Sequence, residues 1–380
     1  LDIGKKMDRK PTLRVGLVGS GFMGRCHANA FRSVSGLFDL PLEPIADMLA
    51  DITDEVAAKN ALALGFDRST GDWRTLCADM DIDVVAVTAP NVLHEPIVMA
   101  ALAEGKSVYC EKPLSTTLEG AKRMTEAAEK AGVVTMVGFN FLRNPMIRLA
   151  KKIIDSGEIG EVVSFRGWHA ENYMCGPDAA HSFRTDPDGG GALADIGSHI
   201  ISMARFLLGP ITQVVGQSQT IYKTRPIAPG SIERTPVLVD DATHALVVFD
   251  SGVQGSIEAN WAATGRTMDL SWEITGARGA ITFSQERMNQ LLLCKGAAGG
   301  NTSGFTRIES GPSHSPYARF CPAPGHHLGF NDLKVIEVAE LVQAIAGGAN
   351  TGPDFREAYE VQKVVTSILE SCKEHAWKRV

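Results

Sequence analysis

The stretch Leu13-Arg14-Val15-Gly16-Leu17-Val18-Gly19-Ser20-Gly21-Phe22-Met23-Gly24 decides the fold. A mostly apolar run ends in a glycine turn, and a helical pattern over 23–32 follows it. Glycines at this spacing arise by chance in many chains, but between a strand and a helix they acquire a physical reason. Gly19 permits the tight turn, Gly21 lets backbone approach a pyrophosphate, and Gly24 lets the helix pack on the strand. The helix start beyond them offers free N–H groups and a positive dipole end to a phosphate. Ser20, Phe22 and Met23 share this turn and are candidate cofactor contacts.

Working outward, short β-prone runs at 44–51, 83–87, 107–110 and 133–137 alternate with helical patterns at 53–64, 96–104 and 118–131. Buried parallel strands read as near-continuous apolar runs, so the pattern predicts a doubly wound parallel sheet. After about residue 145 the texture changes. A helix at 146–155 precedes strand patterns at 162–169, 212–222, 244–249, 255–261, 268–275 and 280–283. Their alternation predicts a large open antiparallel sheet with one buried face. Residues 296–330, rich in Gly, Pro, Ser and His, read as an irregular loop near a site or interface. Helices at 332–346 and 356–376 close the chain. The division predicts a nucleotide-binding domain over 1–145 and a substrate-binding and oligomerisation domain over 146–380, with the last helices packing back on the first.

Composition narrows the function classes. The chain has 380 residues, 44% hydrophobic and 21% charged, with a net charge of −7. That balance excludes wholesale disorder, and no apolar run reaches membrane-spanning length. It also excludes a nucleic-acid binder relying on bulk positive charge. Seven cysteines without a C-x-x-C pair predict reduced thiols and no structural metal site. Residues 1–10 are polar, unlike a secretory leader; Met7 is a candidate natural start, and the cytoplasm is the expected compartment.

Dinucleotide folds place an acid at the end of the second strand to hold the adenosine ribose. Asp47 and Asp51 compete for this role. Asp51 is preferred because a helix begins just after it, although it stands 27 positions past Gly24. Residues 33–44 read as an inserted loop that accounts for the excess. Neither acid is followed by Arg or Lys, which favours NAD over NADP. Thr88-Ala89-Pro90-Asn91 with His94, and Glu111-Lys112-Pro113, follow the third and fourth strand patterns, at the edge where open α/β sheets bind ligands. Lys112 there could stabilise a developing alkoxide. Asp195-Ile196-Gly197-Ser198-His199 follows a glycine turn, and a four-residue helical spacing would put Asp195 beside His199. Such a pair suits general-base catalysis, although a capping aspartate and a core histidine would read the same. His181, His314, His326 and His327 are weaker candidates, since loop histidines are usually just exposed.

These four motifs, in this order, resemble the Gfo/Idh/MocA family of glucose-fructose oxidoreductase and inositol dehydrogenase, over about residues 12–375. Phe139-Asn140-Phe141 with Arg143 and Pro145, Ala150-Lys151-Lys152 and Ser164-Phe165-Arg166-Gly167 resemble its levoglucosan- and cyclitol-oxidising members. The resemblance implies NAD or NADP on the N-terminal domain and substrate laid against the open sheet. It implies Lys112 at the reacting hydroxyl, often before a cis proline, with Asp195 and His199 as the proton-transfer pair. Asn91, His94, Glu111 and Asn140 would line the cofactor, with Arg184 reaching it from the second domain. Many members carry an acid three residues after the histidine; this chain has Ser202, which bears on finer substrate contacts. The expected reaction is oxidation of a secondary hydroxyl of a sugar, anhydrosugar or cyclitol to a ketone. A redox-assisted glycosidase shares the same motifs, whereas a non-catalytic regulator has no physical reason to keep Lys112, Asp195 and His199. A homodimer or homotetramer through the open sheet face is expected.

Overall fold

The computed structural model describes residues 10–296 and 304–380. β1 (Thr12–Val18) lies inside a sheet because its two faces both meet apolar layers. Leu13, Val15 and Leu17 join one core cluster and Val18 the other. Gly16 between them lets Leu76 pack close on the strand, since a Cβ there would lie 2.6 Å from a methyl carbon of Leu76. β2 (Glu43–Ala50), β3 (Arg68–Thr70), β4 (Val84–Val87), β5 (Ser107–Cys110) and β6 (Thr135–Val137) complete the sheet. The order is β3-β2-β1-β4-β5-β6, and every pair is parallel. The crossovers carry α1 (Phe22–Leu37), α2 (Asp54–Leu64), α3 (Trp73–Ala78), α4 (His94–Ala103) and α5 (Leu118–Ala131).

Two local readings change here. The expected inserted loop begins as helix instead: α1 runs on to Leu37 because Ala30, Phe31 and Val34 continue its buried face. The short β3 and α3 carried too few residues to show a period in the sequence.

The second half begins with α6 (Pro145–Asp155), whose N-cap Asn144 accepts from Met146 N at 2.8 Å. β7 (Val162–Ala170), α7 (Ser198–Leu208), β8 (Ile211–Gln219), β9 (Thr224–Pro226), β10 (Arg234–Pro236), β11 (Ala242–Phe249) and β12 (Gln254–Asn260) follow. After these come β13 (Asp269–Gly276), β14 (Gly279–Ser284), β15 (Gln290–Lys295), β16 (Thr306–Glu309), α8 (Phe330–Ile345), α9 (Phe355–Glu374) and β17 (Lys378–Arg379). Nine strands form one sheet in the order β16-β15-β14-β13-β7-β12-β11-β8-β17, and β9 and β10 form a separate hairpin.

The large sheet is mixed rather than purely antiparallel, because β7 and β12 run parallel. The long excursion through α7 and β11 lets the chain re-enter beside β7 in the same direction. β16 also lies within the stretch expected to be irregular, of which 297–303 fall outside the described residues. On the inner face, Phe165, Gly167 and His169 of β7 pack toward α7, while Arg166 and Trp168 point outward.

The closing helices return to the first sheet. Val335, Val338, Ala339, Leu341 and Val342 of α8 share a core cluster with Leu13, Val15, Phe31 and Tyr109. α9 lies against α5, α7 and β8. No described helix is long and apolar enough to cross a membrane.

Candidate active site

The glycine turn has the shape its spacing requires. Gly19 adopts φ +92, and a Cβ there would lie 3.0 Å from Ala89 N. A Cβ on Gly24 would collide with the Gly19 carbonyl oxygen, so the helix can approach the strand only as glycine. Above Gly21 nothing stands within 4 Å, and no side chain caps the start of α1. The turn is therefore an open cradle of unspent N–H groups, which fits a pyrophosphate. Thr88 holds it from beneath, donating to Val18 O at 3.0 Å and Gly19 O at 2.8 Å. Phe22 stays mostly exposed and stacks on Phe330, ring centroids 5.9 Å apart. Met23 is half-buried beside it.

The two candidate ribose acids occupy different environments. Asp47 is fully buried and accepts from Arg14 and from Arg68 Nε at 2.6 Å. Asp51 follows the end of β2, where Ser20 of the glycine turn donates to it, and Asn60 donates to Ser20 at 2.6 Å. Only Asp51 borders the cradle. Pro90 and Asn91 line a cleft whose opposite wall is Phe183, Asp186, Pro187 and Gly189.

Two residues expected to line the cofactor are turned inward instead. Both ring nitrogens of buried His94 are engaged, Nδ1 with Pro113 O at 2.8 Å and Nε2 with Ala89 O at 3.0 Å. Its ring ties the two strand-end loops together. Glu111 is enclosed as well: its Oε1 meets His27 Nε2 at 2.8 Å and accepts from Lys334 Nζ at 2.6 Å. Burial would raise the Glu111 pKa, but the Lys334 charge and the His27 bond outweigh it and hold the carboxyl well below the usual range. Lys334 also donates to Tyr109 at 2.8 Å and Glu337 at 3.0 Å, so the strand end carrying Lys112 rests on an ionic cluster rooted in α8. Asn140 is buried, and its Nδ2 has no protein partner.

The structure brings Lys112, Asp195 and His199 together, though not as spacing suggested. The Lys112–Pro113 bond is cis. Lys112 Nζ donates to Asp195 Oδ1 at 2.8 Å and to the Asp195 carbonyl at 2.6 Å. The other carboxylate oxygen accepts from Tyr173 at 2.8 Å and from Arg184 Nε at 2.9 Å. Burial works to raise the Asp195 pKa, but the Lys112 and Arg184 charges hold it well below the carboxylate range. Among the described residues no side-chain hydrogen bond joins Asp195 to His199, so the carboxylate reaches the imidazole only through its charge, which works against the lowering of the His199 pKa. The cause is backbone. Leu193–Gly197 is a π-helical turn, so the spacing of a regular α-helix does not carry from Asp195 to His199.

His199 sits in an aromatic box, with ring centroids 4.9 Å from Phe141, 5.8 Å from Phe139 and 5.6 Å from His169. Its nitrogens make no hydrogen bond with a described protein group. Burial first, then the Lys112 and His169 charges, push its pKa well below the imidazole range. The ring is therefore neutral at pH 7 and free to accept a proton.

Tyr173, His169 and Lys334 belong to the site or its support and were not singled out from sequence. His169 left a readable trace as a polar residue on the apolar face of β7. Lys334 and Glu337 left another, as a charged i, i+3 pair within a helix stretch that is otherwise Leu, Val and Ile. Tyr173 left none. The loop histidines bond elsewhere or are exposed: His181 Nε2 lies 3.3 Å from Asp186, Gly311 N donates to His314 at 3.1 Å, and His326 and His327 are exposed. Ser202 is buried one turn beyond His199, its hydroxyl without a partner. Among the described residues no group of three His, Cys, Asp or Glu could hold a metal ion.

A nucleotide cradle on a parallel sheet, facing a Lys–Asp–His group on a second sheet, defines a two-domain nicotinamide-dependent oxidoreductase. Residues 13–139 match the oxidoreductase family with an NAD-binding Rossmann fold, and residues 147–282 match the GFO/IDH/MocA C-terminal domain. The chain belongs to the Gfo/Idh/MocA family. It is 36% identical to levoglucosan dehydrogenase of Pseudarthrobacter phenanthrenivorans, over 96% of this chain and 97% of that one. It is 27% identical to inositol 2-dehydrogenase of Rhizobium meliloti, over 96% and 98% of the two chains. A solved levoglucosan dehydrogenase in complex with NADH and L-sorbose superposes with a TM-score of 0.94 at 37% identity, covering 97% of this chain and 99% of that chain.

Proposed function

We propose that this protein oxidises a secondary hydroxyl of a sugar, anhydrosugar or cyclitol to a ketone, as an NAD-dependent dehydrogenase. The observation that carries the reading is His199, a neutral imidazole with unspent nitrogens, held beside the Lys112–Asp195 pair. The relatives named above, a levoglucosan and an inositol dehydrogenase, support the substrate class.

The residues present fit the dinucleotide. Gly19 to Gly24 would take the pyrophosphate, Asp51 the adenosine ribose, and Thr88 to Asn91, Lys112, Asn140 and Arg184 the nicotinamide end. Bound NAD supplies the hydride acceptor. His199 takes the hydroxyl proton of the substrate. Lys112 donates to the same oxygen and stabilises the negative charge that grows there. Asp195 bonds Lys112 rather than the imidazole, fixing the ammonium by two bonds and balancing its charge. Tyr173 and Arg184 hold Asp195 from its far oxygen.

The reading divides labour between residues 1–145, which bind cofactor, and 146–380, which bind substrate and assemble. A second copy of the chain over the outer face of the nine-stranded sheet is supported by Leu246, more than half exposed there beside Arg166 and Trp168. Seven free cysteines suit a reducing cytoplasm.

The test is accumulation of reduced nicotinamide with NAD and a panel of levoglucosan, inositols and aldoses. Net accumulation also separates a dehydrogenase from a redox-neutral glycosidase. His199→Ala with folding intact should keep less than a tenth of turnover, since general-base catalysis is worth about 10²–10⁴-fold. Light scattering tests the oligomer: a monomer at working concentration ends that part of the reading.

A further inference from the structure

Tyr173 and Arg184, the two donors on the far oxygen of Asp195, sit at either end of an irregular segment outside any long element. Something must fix that segment if their bonds are to be reproducible. The residue that does so is Arg225 on β9, fully buried and 16 positions before its counter-ion. Its Nη2 donates to Asp241 Oδ1 at 3.0 Å and to Met174 O at 3.0 Å. Its Nη1 lies 3.3 Å from both Gly176 O and Ala179 O. One planar cation thus gathers three carbonyls of the segment around a fork that a point-like ammonium cannot reproduce.

The neighbours of Arg225 act on the same stretch. Gly176 N donates to the Tyr222 hydroxyl at 3.0 Å, and His181 N donates to Pro226 O at 2.8 Å. Arg234 of β10 donates to Pro177 O at 2.6 Å. Asp241 is fully occupied in turn, accepting from Trp261 Nε1 at 2.6 Å and from the Ile221 and Tyr222 N–H groups. The adjacent Asp240 accepts from Leu193 N at 3.0 Å, at the entry to the turn that carries Asp195. Two consecutive carboxylates therefore anchor the two elements that must meet at Asp195: one the helical turn, the other, through Arg225, the 173–184 segment.

We infer that Arg225 is a positioning residue for the dehydrogenase reaction: the β9–β10 hairpin, through its guanidinium, sets the 173–184 segment so that Tyr173 and Arg184 hold Asp195 in register with Lys112. Arg225 touches none of the reacting groups. It rests on the function proposed above, and its test includes a readout that needs no turnover.

Arg225→Lys keeps a cation for Asp241 while losing the fork. In the full-length protein, hydrogen–deuterium exchange over 173–184 should rise while exchange over 13–24 stays as in the wild type. With levoglucosan or myo-inositol, whichever is turned over, kcat/KM should fall about a hundredfold, the scale of a misplacement near 1 Å. Tyr173→Phe removes a contact that the clamp serves, so the double variant should lose little beyond the worse single variant, whereas independent structural damage would multiply. Unchanged exchange over 173–184, or multiplicative losses, overturns the inference. If Arg225→Lys does not fold, Tyr222→Phe removes only the acceptor for Gly176 N and is judged by the same exchange and coupling measurements. Absence of turnover in the wild type refutes the proposed function alone, and the exchange result still decides the clamp.

Discussion

Replacing Lys334 by methionine isolates the ionic cluster beneath the Lys112 strand end. The ammonium is fully buried and serves Glu111, Glu337 and Tyr109. Methionine fills similar volume but strands two carboxylates. Glu111 then keeps only His27, while Glu337 keeps Tyr109 and a distant Arg143, its Nε 3.7 Å away. Removing one partner of a buried ion pair costs about 3–5 kcal/mol. For a chain of this length that is a fall in Tm of about 4–6 °C. The pH dependence gives the sharper check. In the wild type Lys334 holds the Glu111 carboxyl below the usual range, so its stabilisation is present above the ordinary carboxylate pKa and is lost only as pH falls toward its depressed value. In the variant Glu111 loses the charge that outweighed its burial, and its carboxyl rises. His27, which burial and Lys334 keep low, is freed to charge. Both changes make the folded variant take up protons, so its deficit shrinks as pH falls from about 8 to about 5. Calorimetry across that range, with Glu111→Gln added to remove one stranded charge, completes the assay. A deficit that grows on acidification, or a double variant less stable than Lys334→Met alone, would falsify the electrostatic account.

The depressed His199 pKa predicts that the acid limb of kcat/KM lies well below pH 6.5, because the base must be unprotonated; a limb at or above the ordinary imidazole value refutes the role given to burial. Gly21→Ala meets no protein atom within 4 Å, so it should cost about 1 kcal/mol or less in stability while weakening NAD binding measurably by titration. Loss of folding, or unchanged NAD affinity, counts against the cradle. Asp51→Ala should weaken NAD about tenfold and narrow the preference over NADP, while Asp47→Ala should act on stability through Arg14 and Arg68. The reverse pattern in isothermal titration would reassign the ribose acid.

The first sheet was legible apart from β3, because its inner strands are buried on both faces and read as apolar runs, with glycines where sterics require them. Six strands of the second sheet were legible, whereas β15, β16 and β17 were not, and neither was the parallel pairing of β7 with β12, since strand direction depends on a distant re-entry rather than on local pattern. The site shows the same limit. Lys112, Asp195 and His199 were found by residue type and setting, yet the partner of Asp195 was misread because a π turn leaves no mark in the spacing. His94 and Glu111 follow strand ends as the motifs suggested, but His94 is turned inward by Ala89 and Pro113, and Glu111 by Lys334 of α8, more than 200 positions away. Residues such as Tyr173 gain meaning only from what folds against them.

The return of α8 to the first sheet has a consequence for how this enzyme can be re-engineered or recombined. The counter-ion of Glu111 and five buried residues of the apolar cluster backing β1 arrive from the tail of the chain. A chimera exchanging only the leading 145 residues with those of a relative would mate a foreign nucleotide half to an ill-matched tail. Cofactor preference would transfer intact only when both ends of the polypeptide travel together, so the smallest heritable module here is discontinuous.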